Sequence, residues 1–233
     1  MTATSDRRSV AVAYHLMQLC DSALPVGGFS FSCALESAVA QGLLRSVHDI
    51  EQYVRVVVRQ SLLSDGVAAL HAMRSADSIA ELCRADRALM ARKASVEMRT
   101  MSVRMGRKLA ELGSELLPCR DIDEWLSCVV QHRAEGSYAV SQGLIFSLCG
   151  ASECDLFAAV GYGTASMVLG AALRLARVTH RDTQKMLFSL SLFVDSLYDQ
   201  ARMLGLEQMH GFAPEMDILS SLHERGIQRM FMS

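Results

Sequence analysis

The chain is poor in the residues that interrupt helices. Its 233 residues include only 3 Pro and 1 Trp, and 23 basic side chains nearly balance 25 acidic ones, for a formal charge of −2. This balance excludes a global field that would draw the chain to nucleic acid or to an anionic membrane. Because 51% of the residues are hydrophobic and no Gly/Ser-rich tract separates two parts, disordered and fibrous classes are excluded. One domain spanning residues 1–233 is predicted.

The sequence also shows no pattern typical of disulfide bonds or of a zinc site. The 7 cysteines form no C-x-x-C pair and are too scattered for a disulfide framework or a zinc ligand set. We therefore expect buried free thiols in a reducing compartment, and a cytoplasmic protein. An export signal is not predicted, since Tyr14 and Gln18 interrupt the apolar stretch that follows Arg8. Residues 1–8 are instead predicted to be a flexible N-terminal tail.

Motifs of nucleotide-binding and hydrolytic enzymes are not found. The chain has no G-x-x-x-x-G-K-[ST] loop, no G-x-G-x-x-G, no H-E-x-x-H and no G-x-S-x-G elbow. The stretch 28–32 comes near the elbow pattern, but it ends in Ser32 instead of glycine. We predict no catalytic residue, no cofactor and no bound metal, and we expect that the isolated chain neither binds nor hydrolyses nucleotide.

Apolar residues recur at helical spacing along almost the whole chain. Ile50, Val54, Val57, Val58 and Leu62 show the pattern, at offsets of 4, 7, 8 and 12 residues. The three prolines fall between the periodic segments or at their starts, as expected for helices that proline would break. The fold class predicted is all-α, a single-domain bundle of about ten helices. The segments predicted as helical lie near residues 9–20, 32–42, 46–63, 66–75, 77–91, 94–113, 121–134, 137–149, 153–177, 180–204 and 215–224.

Two uncharged runs, 136–152 and 156–173, lie in the second half of the chain. Their length suits a membrane hairpin, and a membrane-associated protein is the third interpretation of the sequence. Ser, Gln and Gly residues dilute both runs, which favours a buried central helical hairpin and no membrane contact. Small residues such as Gly161 and Gly170 permit close approach of another helix, so we expect Gly170→Leu to overpack its neighbour.

The strongest local charge feature lies between residues 84 and 108. Eight basic residues face only two acidic ones there, and Met90, Met98, Met101 and Met105 are predicted to share one helical face. The simplest interpretation is a core stripe with a solvated basic face. The alternative function is an all-helical nucleic-acid-binding regulator that uses this basic 84–108 segment. The basic residues are Arg84, Arg87, Arg92, Lys93, Arg99, Arg104, Arg107 and Lys108.

A glycine- and aromatic-rich string, Leu24-Pro25-Val26-Gly27-Gly28-Phe29-Ser30-Phe31-Ser32, is followed by Glu36. The proline and the paired glycines favour a turn, and Ser30 or Ser32 is placed to cap the next helix. Glu36 would then lie near the positive end of that helix. The two phenylalanines need either core pockets or a partner.

This string resembles the N-terminal signature of the UreF-type urease accessory proteins. The C-terminal region is similar to that family as well, and ordered matches run from about residue 16 to the chain end. Two departures stand out: Phe31 replaces the usual Tyr, and Cys33-Ala34 replaces a polar-Gly pair. The C-terminal matches are Phe212-Ala213-Pro214, Asp217-Ile218, His223-Glu224, Arg229, Phe231 and Ser233.

The resemblance implies a non-enzymatic urease maturation factor that forms a homodimer. It would bind the UreD/UreH-type accessory protein and recruit or regulate the UreG-type GTPase for nickel insertion into apo-urease. Residues 225–233 are predicted to be a partner-docking tail outside the core, so deletion of Arg229 to Ser233 is expected to leave the fold intact. The partner-binding residues predicted are Pro25, Gly28, Phe29, Ser30, Phe31, Ser32, Glu36, Asp217, His223, Glu224, Arg229, Phe231 and Ser233.

Overall fold

The computed structural model describes residues 9–211, 213–224, 230 and 231. Within these residues the chain is all-α and contains no β-strand, so the predicted fold class is confirmed. The helices are α1 (Val10–Leu19), α2 (Leu35–Ala40), α3 (Val47–Ser61), α4 (Val67–Arg74), α5 (Ile79–Met90), α6 (Val96–Leu116), α7 (Arg120–Val130), α8 (Tyr138–Leu148), α9 (Glu153–Leu175), α10 (His180–Ala201) and α11 (Pro214–Glu224).

Polar caps fix where the longer helices begin. Ser46, Ser152 and Thr179 each accept a hydrogen bond from the backbone N–H three residues later, and each forms a capping box with an aspartate at that position. A capping box satisfies two backbone groups that a helix end otherwise leaves without partners. The predicted starts of α3, α9 and α10 therefore agree with the structure to within one residue.

Several predicted helix ends differ from the structure by two to four residues, and two of the differences follow from local backbone geometry. α2 begins at Leu35 instead of residue 32, because Cys33 and Ala34 adopt left-handed backbone conformations with φ of 51° and 60°. Between α3 and α4 the chain does not break, since Leu62–Gly66 forms a π-helical turn that connects them. The left-handed residues and the π-helical turn are local backbone conformations, and the spacing of apolar residues does not predict either of them.

The two uncharged runs form α8 and α9, and both are core helices. α8 packs mainly against α4 and α6, whereas α9 packs against α2, α3, α4 and α10. By length and composition α9 is apolar enough to cross a membrane, but 56% of its most apolar window is buried inside the protein. The two helices of the predicted hairpin, α8 and α9, are thus buried mainly against the surrounding helices and less against each other.

Close backbone packing fixes α6 against the turn that precedes α8. A Cβ atom at Gly106 would overlap the carbonyl oxygen of Gly136. The same turn is held from the other side by Asp86, whose fully buried carboxylate accepts hydrogen bonds from the backbone N–H groups of Glu135, Gly136 and Ser137 at 2.7, 3.1 and 2.8 Å. These bonds satisfy backbone donors that would otherwise be buried without partners.

The small residues of α9 have different environments. A Cβ atom at Gly161 would lie 3.0 Å from the Val194 side chain of α10, which is a close approach. At Gly163 and Gly170 nothing lies within 4 Å of that position. The expectation that Gly170→Leu would overpack a neighbouring helix is therefore wrong, because this side of α9 faces open space.

We expect Gly106→Ala to destabilise the fold by about 1–3 kcal/mol or more, since the added methyl group must displace the backbone at Gly136. Gly163→Ala is the matched control, because its methyl group meets open space and alanine favours the helix by about 0.8–1.0 kcal/mol over glycine. Urea denaturation of both variants measures the two free energies of unfolding. Equal stability of the two variants would contradict the close packing of α6.

Candidate surface formed by the two chain ends

The motif loop places its two phenylalanines in opposite environments. Gly27 takes a left-handed conformation with φ of 84°, and Gly28–Ser30 follows as one turn of 3-10 helix. Phe31 is buried in the core at 3% exposure, whereas Phe29 is 74% exposed. Phe29 is thus the aromatic side chain that the loop presents to solvent.

The N-cap position of α2 is Ala34, which makes no side-chain capping bond, so the prediction that Ser30 or Ser32 caps this helix is wrong. The contact of the fully buried Ser32 hydroxyl oxygen with the backbone N–H of Glu36 is long, at 3.5 Å. Pro25 and Ser30 lie in the same loop, and a Cβ atom at Gly28 would contact the Met105 and Met167 methyl groups at 3.3 and 3.6 Å.

Glu36 and Glu97 bind opposite sides of the His223 ring. The ring Nε2 lies 2.9 Å from Glu36 Oε2, and the ring Nδ1 lies 2.9 Å from Glu97 Oε2. The His223 side chain is only 2% exposed. A carboxylate oxygen accepts hydrogen bonds, so the ring donates from both nitrogens only in its protonated form. These contacts join α2, α6 and α11.

Glu36 also holds the end of the chain. Its Oε1 accepts from the backbone N–H of Met230 at 2.8 Å, and its Oε2 accepts from the backbone N–H of Phe231 at 3.1 Å. Burial alone would raise the pKa of Glu36, but the hydrogen bonds from His223, Met230 and Phe231 together lower it below its ordinary value. The carboxylate form is therefore the one that the folded protein stabilises.

Arg174, near the end of α9, lies between the two terminal segments. Its guanidinium carbon is 4.1 Å from the centroid of the Phe29 ring and 4.2 Å from that of Phe231. Its Nη2 donates to the Phe29 carbonyl at 3.1 Å, and its Nε donates to the Gly170 carbonyl at 3.2 Å. Stacking on two rings holds the cation flat at the surface.

The burial of Phe231 corrects the prediction that the C-terminal tail lies outside the core. Phe231 is only 4% exposed and belongs to the main hydrophobic core. Phe31, Ser32 and His223 are also buried, so these predicted partner-binding residues lie beneath the surface of the chain. The burial of Phe231 argues against the expectation that the fold tolerates its loss, and the outcome of the deletion stays a prediction.

The structure describes only some of the other predicted partner-binding residues. Asp217 lies on α11, where burial raises the pKa of its carboxyl group. Glu224 is the last residue of α11. Arg229 and Ser233 lie outside the described residues, as do residues 1–8 and most of the predicted tail.

A cavity of about 340 Å³ lies beside this surface and includes Phe29, Arg174 and Asp217 in its wall. Met98, Met101 and Met105 of α6 line it and share one face, as predicted. Met90 is the last residue of α5 and does not belong to this face, so the prediction is wrong for Met90. Flexible thioether side chains adapt to irregular apolar surfaces. The sequence predicted the apolar stripe but not that part of it borders a cavity.

Most of the basic side chains between residues 84 and 108 are held within the fold. Lys93 binds Asp65 at 2.8 Å, and Arg99 binds Glu135 at 2.9 Å. Arg84 and Arg107 pair with glutamates on their own helices, and Arg92 donates to backbone carbonyl groups. Paired cations have fewer free donors for phosphate, so these contacts weaken the support for the nucleic-acid alternative.

The sequence did not predict two of the residues that build this surface, Arg174 and Glu97. The signal at Arg174 was its position as the first charge after the uncharged run 156–173. Glu97 gave no local signal, because its partner His223 lies 126 residues away in the chain. No group of three or more His, Cys, Asp or Glu side chains suited to a metal ion occurs in the part of the chain that the structure describes.

Comparison with known proteins gives consistent matches. The profile of the UreF family matches residues 44–191. A protein named urease accessory protein UreF 2 from Brucella canis is 42% identical over 232 residues, which cover 99% of this chain and 96% of that protein. Urease accessory protein UreF from Photorhabdus laumondii is 38% identical over 219 residues, which cover 93% of this chain and 96% of that protein.

The fold and this surface define an all-helical protein whose two terminal segments meet around one arginine. The profile match and the near full-length identities then show its family. The chain belongs to the UreF family of urease accessory proteins. The resemblance drawn from the two terminal motifs is confirmed.

We expect Glu36→Gln to cost about 1–3 kcal/mol of stability at neutral pH, since an amide cannot replace all the charge-assisted bonds of the carboxylate. The folded-state pKa of Glu36 is lowered, so its contribution is complete above the ordinary value of 4.5 and is lost as the pH falls through the lower folded value. The difference between wild type and variant should therefore shrink in acid.

Urea denaturation between pH 7 and pH 2.5 measures this difference, since the change is expected below the ordinary value of 4.5. Glu115→Gln, at an exposed position of α6, is the matched control and should differ little from wild type at either pH. A loss of stability in Glu36→Gln that stays the same in acid would contradict the assigned role of the carboxylate.

Proposed function

We propose that this chain is a non-enzymatic adaptor in urease maturation. It binds the UreD/UreH-type accessory protein and, through that complex, recruits or regulates the UreG-type GTPase for nickel insertion into apo-urease. It acts in the cytoplasm as a homodimer. Nickel is the cargo of this process, and the chain needs no cofactor of its own for the proposed role.

The observation that carries the proposal is the meeting of the two terminal motifs around Arg174. The segments that resemble the family signature lie at opposite ends of the chain, yet Phe29 and Phe231 stack on the same guanidinium group. Hydrogen bonds through Glu36 and His223 fix this arrangement from below. A surface built from both ends of a chain suits recognition of another protein, since it presents one fixed shape.

The chemistry of the surface fits a protein partner. Aromatic and arginine side chains dominate the energetics of protein interfaces when they are desolvated together. Phe29 is exposed, and Arg174 is also exposed while two rings hold its guanidinium group in place. A preorganised side chain loses less conformational entropy when a partner binds. We therefore assign Phe29 and Arg174 as the direct contacts and the buried motif residues as their support.

We expect Phe29→Ala and Arg174→Ala each to weaken capture of the UreD/UreH-type partner by roughly tenfold or more, the size typical of interface hot spots. Arg174→Lys should also be impaired, because an ammonium group keeps the charge but loses planar stacking. Affinity capture with the purified partner measures the effect, and urease activity in cells reports its consequence.

The matched controls are Tyr14→Ala, an exposed aromatic residue of α1, and Arg120→Ala, whose side chain is 89% exposed. Both should bind as wild type does. Failure of the wild-type chain to capture the partner would contradict the proposed function. Capture by wild type and by both surface variants at equal affinity would instead show that the docking surface lies elsewhere.

A further inference from the structure

Three sulfur-containing side chains from distant parts of the chain converge beneath the motif loop. Cys33 precedes α2, Met105 lies in α6 and Met167 lies in α9. The Cys33 Sγ atom lies 3.7 Å from the Met167 Sδ atom. The methyl groups of Met105 and Met167 approach one point, since a Cβ atom at Gly28 would lie 3.3 and 3.6 Å from them. Cys33, Met105 and Met167 together form what we call the sulfur cluster.

The sulfur cluster is buried but borders an open space. Cys33 and Met105 are each only 4% exposed. All three side chains line the cavity of about 340 Å³ described above. Phe29, which is exposed to solvent, belongs to the wall of the same cavity. A small ion can therefore reach the sulfur atoms from solvent through this cavity.

The backbone of Cys33 is held in place before any ion binds. Cys33 takes a left-handed conformation with φ of 51°, which costs free energy for a residue with a Cβ atom. The buried Tyr53 hydroxyl donates to the Cys33 carbonyl oxygen at 2.7 Å. A side chain that starts from a fixed backbone loses less conformational entropy when it binds a ligand.

The spacing and type of these sulfur atoms suit a soft metal ion. Thiolate and thioether sulfur atoms are soft ligands, and together they select Cu(I). Two sulfur atoms that bind one ion at about 2.3 Å each lie roughly 3.8 to 4.0 Å apart, at tetrahedral or trigonal angles. The 3.7 Å between Cys33 Sγ and Met167 Sδ is close to this separation. The two sulfur atoms therefore need little movement to bind one ion.

The charges around the sulfur cluster favour a monovalent ion. Burial raises the pKa of the Cys33 thiol to about 12, so the free thiol keeps its proton at neutral pH. The charged groups that act on Cys33 are Lys93 and Asp65, which bind each other at 2.8 Å and cancel in charge. One thiolate and two neutral thioethers make a neutral complex with Cu(I). A divalent ion would leave a positive charge in a buried site, which is costly.

We propose that the sulfur cluster binds one soft monovalent cation, Cu(I), through Cys33 Sγ and the Sδ atoms of Met105 and Met167. The Cys33 thiol releases its proton to solvent as the sulfur–copper bond forms, and each thioether donates a lone pair. Copper enters as Cu(I), so no electron is transferred. Rotation about the flexible Met105 side chain brings its sulfur to the ion. The proposal holds whether or not the chain acts in urease maturation.

Competition between the full chain and the chromogenic Cu(I) chelator bicinchoninate, under anaerobic reducing conditions, tests this site. Wild type should withhold one equivalent of Cu(I) from the chelator. Cys33→Ser, Met105→Leu and Met167→Leu should each weaken binding by roughly tenfold or more, because each removes one soft ligand. Leucine keeps the side-chain volume of methionine, so packing changes little. X-ray absorption of the copper-loaded wild type should show sulfur neighbours at about 2.3 Å.

Two matched controls separate the sulfur cluster from other sulfur atoms. Met98→Leu changes a methionine of the same cavity, and Cys154→Ser removes an exposed thiol. Both should bind Cu(I) as wild type does. Circular dichroism checks folding, and Met167→Leu, which leaves the thiol in place, decides the outcome if Cys33→Ser does not fold. A wild type that yields all its copper to the chelator, or a Met167→Leu variant that binds as wild type does, would overturn the proposal and leave the sulfur contact as core packing only.

Discussion

The carboxylate of Glu36 is the contact on which the candidate surface depends. It accepts the backbone N–H groups of Met230 and Phe231 and binds the ring of His223, so that one side chain from the N-terminal motif fixes two C-terminal segments. Hydrogen bonds to an ionised group are stronger than neutral ones, and they are strongest where water is excluded. These two backbone hydrogen bonds, together with core packing of the ring, hold Phe231 beneath Arg174.

The surface is stable because the helices below it are fixed by close backbone contacts. Gly106 lets α6 touch the turn before α8, and Asp86 satisfies three backbone donors of that turn from within the core. Gly143 plays the same part where α8 meets α4. A buried carboxylate is costly unless its hydrogen bonds are complete, and here backbone donors complete them. The side chains of the terminal motifs thus rest on a rigid frame.

Residues in the terminal motifs divide into those that build the surface and those that present it. Phe31 and Phe231 belong to the core, whereas Phe29 faces solvent and Arg174 lies at the surface between two rings. Residues of the same motifs therefore have two different roles: some pack in the core, and others form the exposed surface. Ala34 shows the first kind clearly: it adopts a left-handed conformation, with φ of 60°, at the position where the family pattern has glycine. Glycine takes such a backbone without the steric cost that a Cβ atom imposes.

The amino-acid sequence by itself determined the helical class, most helix boundaries and the family, because apolar periodicity, capping residues and motif order are local features of a chain. It also marked both terminal motifs. Only the tertiary structure decided that these motifs meet, that Phe231 is buried, and that Arg174 lies between two rings. The contacts responsible join residues that are distant in the chain, such as Glu36 with His223. Long-range pairing of this kind follows from how helices pack together, and no local pattern records it.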